Sequence, residues 1–175
     1  MAGSLVLLHT QTASASSSID LGGNTYWDSS YNVYVYQYIN VHTSVDGASL
    51  NHRFLVSGTA DTSANYDSAE VLLASGGAFA YEGRTNSTAI TTHRIGTAAN
   101  ESANGMWYLF NFNNASEYSF CTYENTTIEN TTGTLRGKQG GGTLTVAQAT
   151  NGLYIYTSSG NIASGTFKLY GLKKW

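Results

Sequence analysis

The sequence predicts an all-β protein: a single-domain antiparallel β-sandwich, jelly-roll-like, with about nine or ten short strands. Three observations point there. No segment keeps a helical apolar period for ten residues, whereas several stretches alternate with a period of two. The intervals between those stretches are Gly, Asn, Ser and Asp turns. Proline is absent, and 19 Gly and 13 Tyr stand in a chain of 175 residues. That length suits one domain over residues 1–175, with volume for a real core. A jelly roll is the first expectation, because several connections are long enough to cross between sheets. An immunoglobulin-like sandwich is the second.

The elements follow in order. Ser4–Gln11 reads as a strand and Ile19–Leu21 as its short partner. "SASSS" at 14–18 is a polar turn, and Asp28–Asn32 is another. Val33–His42 is a long strand, "VDG" at 45–47 is a strong turn signal, and Leu50–Val56 follows it. Residues 58–68 read as a loop, and "SAEVLLASGG" near residue 70 as a short helical turn stopped by its glycines. Ala78–Glu82 and Thr88–Ile95 are strands of weaker pattern, and "TAANESANG" is a loop. Met106–Phe112 is a strong strand, and Tyr118–Tyr123 follows across "NNASE". Leu135–Lys138 and Thr143–Ala147 flank the glycines 140–142, which read as a turn that is flexible or touches another backbone. Leu153–Tyr156, the turn "SSGN" and Thr166–Leu172 close the chain.

Within "NVYVYQYINVH", residues 32–42, alternate side chains form two different faces. Val33, Val35, Gln37, Ile39 and Val41 point one way; Tyr34, Tyr36, Tyr38, Asn40 and His42 point the other. The expectation is an aliphatic face in the core and a tyrosine stripe buried between subunits, since tyrosine packs through its ring and bonds through its hydroxyl. The opposite assignment, with the tyrosines in the core, is the alternative. Trp107 shares a strand with Leu109 and is expected in the core or in the same interface as Tyr34, Tyr36 and Tyr38.

Composition narrows the function classes. Charged residues are 11%, against about 25% in an ordinary soluble domain. The surface must be covered with neutral hydroxyls and amides, which suits a rigid module packed against neighbours better than it suits catalysis. A formal charge of −3 and dispersed Lys and Arg, apart from Lys168, Lys173 and Lys174, argue against a nucleic-acid partner. Cys121 is alone and mid-strand, so no internal disulfide is expected and a buried inert thiol is. "SLVLLHTQ" is too short an apolar run for a secretory signal or a membrane span, so synthesis in a cytoplasm without membrane insertion is expected. Five Asn-x-Ser/Thr sequons, at Asn86, Asn100, Asn114, Asn125 and Asn130, follow from a chain rich in those residues.

Residues that carry chemistry are few and poorly spaced. His9, His42, His52 and His93 form no metal-binding motif, although His42 and His52 could meet across a hairpin. Asp61 with Asp67, and Asp20 with Asp28, could pair as catalytic carboxylates or calcium ligands, but acids in such loops more often cap turns. No G-x-S-x-G elbow occurs, and "GKQGGGT" at 137–143 lacks the spacing of a phosphate loop. No catalytic residue, cofactor or metal is therefore expected. A sugar-binding sandwich would need exposed stacking platforms, for which Trp27, Trp107 and Tyr26 are the candidates.

Several stretches carry a resemblance that runs over nearly the whole chain: "SLVLLHTQTASASSSIDL", "YNVYVYQYINVHTSVDGASLNHRF", "NGMWYLFNFNNASEYSF", "LRGKQGGG" and the closing "SSGNIASGTFKLYGLKK". Through them the sequence resembles short virion structural proteins, head decoration or tail-fibre modules, of marine and freshwater tailed phages. The resemblance implies a non-enzymatic protein on the virion surface, first of all a capsid decoration (cement) protein that stabilises the head shell from outside. Its partners would be itself, as a homotrimer, and the major capsid protein. The runner-up is a tail-fibre or receptor-binding module recognising host surface polysaccharide, and a virion hydrolase is a distant third. The absence of a spare N-terminal segment for a shaft favours the compact surface protein over a whole fibre.

Overall fold

The alternating patterns and turn residues fold into strands throughout. The computed structural model describes residues 4–22, 26–77, 79–129 and 133–173. It has thirteen strands among those residues: β1 Leu5–Ser16, β2 Ser18–Asp20, β3 Tyr31–Thr43, β4 Ala48–Val56, β5 Thr59–Ala60, β6 Tyr66–Ala74, β7 Phe79–Ser87, β8 Ile90–Ile95, β9 Ala103–Phe110, β10 Ser119–Ile128, β11 Leu135–Leu144, β12 Thr150–Thr157 and β13 Ile162–Lys173. An eight-stranded sheet runs β1-β13-β3-β9-β10-β11-β6-β7, and a smaller sheet runs β2-β12-β4-β5 with β8 also on β4. Every pairing is antiparallel.

This order is a jelly roll. Taken in sequence, β1, β2, β3, β4, β8, β9, β12 and β13 alternate between the sheets except at β4 and β8, which pair in one sheet, so that β1-β13-β3-β9 lie in one and β2-β12-β4-β8 in the other. Two additional hairpins, β6–β7 and β10–β11, zip together through β11 and β6 and widen the larger sheet. The turn at 45–47 makes no hairpin: β3 and β4 lie in different sheets, so the chain crosses the sandwich there. The two-residue turn Ser57-Gly58, with both φ positive, joins β4 to β5.

Three expectations are corrected by pairing. The segment around "SAEVLLA" is not a helical turn but β6, held on both edges by β11 and β7. The glycines 140–142 are not a turn but the middle of β11, which runs unbroken from Leu135 to Leu144. A side chain at Gly140 would lie 2.4 Å from the Ala69 carbonyl oxygen, and one at Gly142 would lie 2.6 Å from Ile90 Cδ1. Close approach of neighbours therefore requires these glycines. The strands also outnumber the expected nine or ten.

One apolar cluster fills the space between the sheets, with Tyr36, Tyr38, Trp107, Phe54, Phe167 and Leu169 at its centre. Asn40 takes a left-handed conformation (φ 50°) where β3 bulges between Tyr38 and Val41. The bulge shifts the alternation by one residue. Tyr34, Tyr36 and Tyr38 thus face inward before it, and Val41 and Thr43 are buried after it.

Candidate interaction surface

The structure overturns the expected interface. Tyr34, Tyr36, Tyr38 and Trp107 are each at most 1% exposed, inside the chain's own core. The cause is the smaller sheet, which lies over the face that these four share. Tyr36 and Trp107 are register partners and meet edge to face at 6.1 Å between ring centroids, while Tyr36 also stacks on Phe167 at 6.5 Å. Phenolic groups there need partners. Tyr34 Oη donates to the Asp28 carbonyl at 2.6 Å, and Tyr36 Oη lies 3.3 Å from His52 Nε2. The stacking candidates are closed off likewise. Trp27 is buried, with its indole N–H donating to the Leu21 carbonyl at 2.7 Å, and Tyr26 lies half-buried against His9.

The other chemistry-bearing residues are dispersed. His42 pairs with Ser164 on β13, whereas His52 is fully buried in the opposite sheet, so the two do not form a cross-hairpin pair. Burial pushes the His52 imidazole down to about 3, which keeps it neutral. Asp61 accepts from the Ser63 N–H and from Gln148 Nε2, both at 2.8 Å. Burial raises its carboxyl, but these bonds and nearby Arg53 outweigh that and hold it below its ordinary value. Asp28 accepts from the Ser30 N–H at 2.8 Å and fixes a turn, whereas Asp67 accepts from the Asn86 N–H at 2.9 Å across the β6–β7 pair and caps no turn. Cys121 is a buried free thiol pushed upward by that burial. Among the described residues no group of three or more His, Cys, Asp or Glu is placed to hold a metal, and no helix is long and apolar enough to cross a membrane.

The sequence reading missed a buried ionic network. Lys138 Nζ contacts Glu70 Oε1 at 2.5 Å and Glu82 Oε2 at 2.9 Å, and Tyr123 donates its hydroxyl to the other Glu70 oxygen. Both Glu70 oxygens are thereby engaged. These groups come from β10, β11, β6 and β7, whose separation in sequence hides the cluster until the sheet brings them together.

The accessible part of the large sheet is its outer face, which the register divides into rows. One row is Leu5, Leu172, Val33, Phe110 and Phe120, on β1, β13, β3, β9 and β10. The next is Leu7, Tyr170, Val35, Tyr108 and Thr122 on the same strands. Neither carries a charge. Leu5 and Leu7 are 51% and 53% exposed, Tyr108 43%, Phe120 42% and Leu172 37%. The third row turns polar: Thr10, Lys168, Gln37, Met106, Glu124, Gln139, Val71 and Tyr81. A furrow of about 510 Å³ lies over this row and the one beyond it, between Gln37, Ile39, Met106, Glu124, Thr126 and Gln139. The aliphatic face of β3 before the bulge thus points to the outer side of the large sheet, where Val33 and Ile39 are part-exposed and Val35 is covered by its neighbours, and along β10 Phe120, Thr122, Glu124 and Thr126 are all exposed on the same side.

Fold and surface together define an all-β jelly-roll sandwich with one broad sheet face left uncovered. No protein-family model and no curated protein matches the chain. Among solved structures, the CBM2 module of Lactobacillus casei BL23 phage J-1 evolved Dit aligns over 99% of this chain and 82% of that one, at 10% identity and a TM-score of 0.26. A likeness at that TM-score carries no argument about fold or function.

Proposed function

We propose that this chain is a non-enzymatic structural protein of a tailed-phage virion, a head decoration protein that self-associates as a homotrimer and packs on the major capsid protein. The carrying observation is the pair of uncharged apolar rows on the outer face. Their exposed apolar area is on the order of 400 Å², the scale at which a patch marks a contact surface. A stable interface takes roughly 800 Å² from each partner, so the two rows would form the apolar centre of such a contact and not the whole of it. The sequence resemblance to phage virion proteins supports the same reading. Its most distinctive segment, "SSGNIASGTFKLYG", spans most of β13, which lies between β1 and β3 and supplies Tyr170 to the patch.

The test is the mass of the purified protein by light scattering, with a copy count on the particle. The expected results are a trimer at micromolar concentration, a monomer for Leu7→Asp and Tyr108→Asp with circular dichroism unchanged, and hundreds of copies per virion. A wild-type monomer would overturn self-association through this face. A dozen copies would move the protein from head to tail.

A further inference from the structure

The furrow on the outer face has a chemistry distinct from that of the apolar rows beside it. Gln37, Met106, Glu124 and Gln139 stand in one register line across β3, β9, β10 and β11. Adjacent strands are about 4.8 Å apart, so the line presents a hydrogen-bonding group or an apolar floor about every 5 Å, close to the repeat of a pyranose chain. The furrow of about 510 Å³ shares Met106, Glu124 and Gln139 with a second of about 360 Å³. It shares Leu73 and Thr126 with a third of about 350 Å³, which Phe79 walls. Three clefts side by side make an elongated groove and not a closed pocket.

The groups in it select a class of ligand. Primary amides donate and accept at once, which suits vicinal hydroxyls. Glu124 is the one acid on the register line, and the one cation, Lys168, lies beyond Gln37 at its end. Lys138 turns inward to Glu70 and Glu82, and Arg136, which lines the third cleft, is paired with Glu129, so both of these cations are engaged by carboxylates and neither is left for a phosphate or sulfate. At the opposite end the edge strand carries Tyr81, 86% exposed, and Phe79, 72% exposed, two residues apart on one face. Exposed rings at the end of a line of amides offer flat faces for the C–H side of a sugar.

We propose that this furrow, from Gln37 through Glu124 to Gln139, together with Tyr81 two strands beyond Gln139 in the same register row, binds a neutral oligosaccharide chain. The second cleft touches Tyr108 and Thr122 of the apolar patch, so the site is tested at Gln139 and Tyr81, which stand in the third row and outside the two rows that carry the proposed trimer contact.

Affinity electrophoresis of the full chain through gels containing dextran, mannan, amylopectin or galactomannan tests it, with heparin as the anionic comparison. At least one neutral polysaccharide should retard the wild type, and Gln139→Ala and Tyr81→Ala should each weaken that binding about tenfold. Both variants should keep the wild-type mass in light scattering and its melting temperature, which separates a lost site from a lost fold or trimer. No retardation by any neutral probe, retardation by heparin alone, or equal retardation of wild type and both variants would each overturn the proposal.

Discussion

Across β13, β3 and β9 the inner face of the large sheet carries Phe167, Tyr36 and Trp107, whereas across β11, β6 and β7 the same face carries Lys138, Glu70 and Glu82. The first half belongs to the jelly roll and lies under the smaller sheet. The second half is built from the two additional hairpins, and of the smaller sheet it is chiefly β8 that packs on its β11 and β6 strands, joined at the start of β6 by Phe54 of β4 against Tyr66. One sheet thus has two kinds of interior. Where a second layer covers the strands, large rings exclude water. Where that cover thins, a lysine neutralised by two carboxylates closes the face, because a buried charge is tolerated when it is paired and hydrogen-bonded.

The largest expected effect breaks the aromatic half. Trp107 is fully buried, stacks on Tyr123 at 4.6 Å and lies 4.2 Å from the His52 ring. Trp107→Ala should cost about 3–5 kcal/mol and lower the melting temperature by about 10–15 °C. A calorimetric shift of a degree or two would mean that this half is not the stabilising centre.

The ionic half should respond in a different way. Lys138→Met leaves Glu70 buried without its cation, at a cost of about 3 kcal/mol. Adding Glu70→Gln should recover part of that loss in denaturant titrations, because Gln can still accept from Tyr123 and no charge is then buried alone. Rings cannot be rescued by a second deletion, so this recovery is what sets the two halves apart. If Lys138→Met is as mild as the loss of a surface ion pair, the network does not hold the flank.

The sandwich and many of its strands and turns were legible in the sequence, though not the order of strands in the sheets, because period-two alternation and turn residues are local signals. The direction of β3 was not. Valine and tyrosine are both good strand residues and both bury well, so the pattern separated two faces without saying which lay inside. The Asn40 bulge then moved Val41 onto the tyrosine side, which no regular period anticipates. β11 was hidden for another reason: glycine usually marks a turn, and here it marks strands whose neighbours leave no room for a side chain. The exposed apolar rows were missed as a consequence, since they join residues from five strands and appear only once the register is known.

The smallest effect distinguishes the halves by pH. His52 sits at full burial against Tyr36, Tyr38 and Trp107, with no charged group among those rings. Unfolded, its imidazole takes a proton near 6.5; folded, burial lowers that to about 3. Below pH 6.5 the unfolded chain therefore binds the extra proton, and stability falls as pH falls. One such group contributes about 1.4 kcal/mol per pH unit in that window, or roughly 2–3 kcal/mol between pH 6.5 and 4.5. The ionic half answers later. Its hydrogen bond from Lys138 holds the Glu82 carboxyl below its ordinary value near 4.5, so the stability it contributes is present above that value and lost as pH drops beneath it. His93, half-buried, is also lowered by burial and adds to the same early window. Denaturant unfolding at half-unit steps of pH should show the slope from 6.5 to 4.5 largely removed in His52→Gln and largely kept in His93→Asn. A slope that survives His52→Gln and disappears with His93→Asn would place the acid-sensitive point on the other flank of the sheet and reverse the assignment.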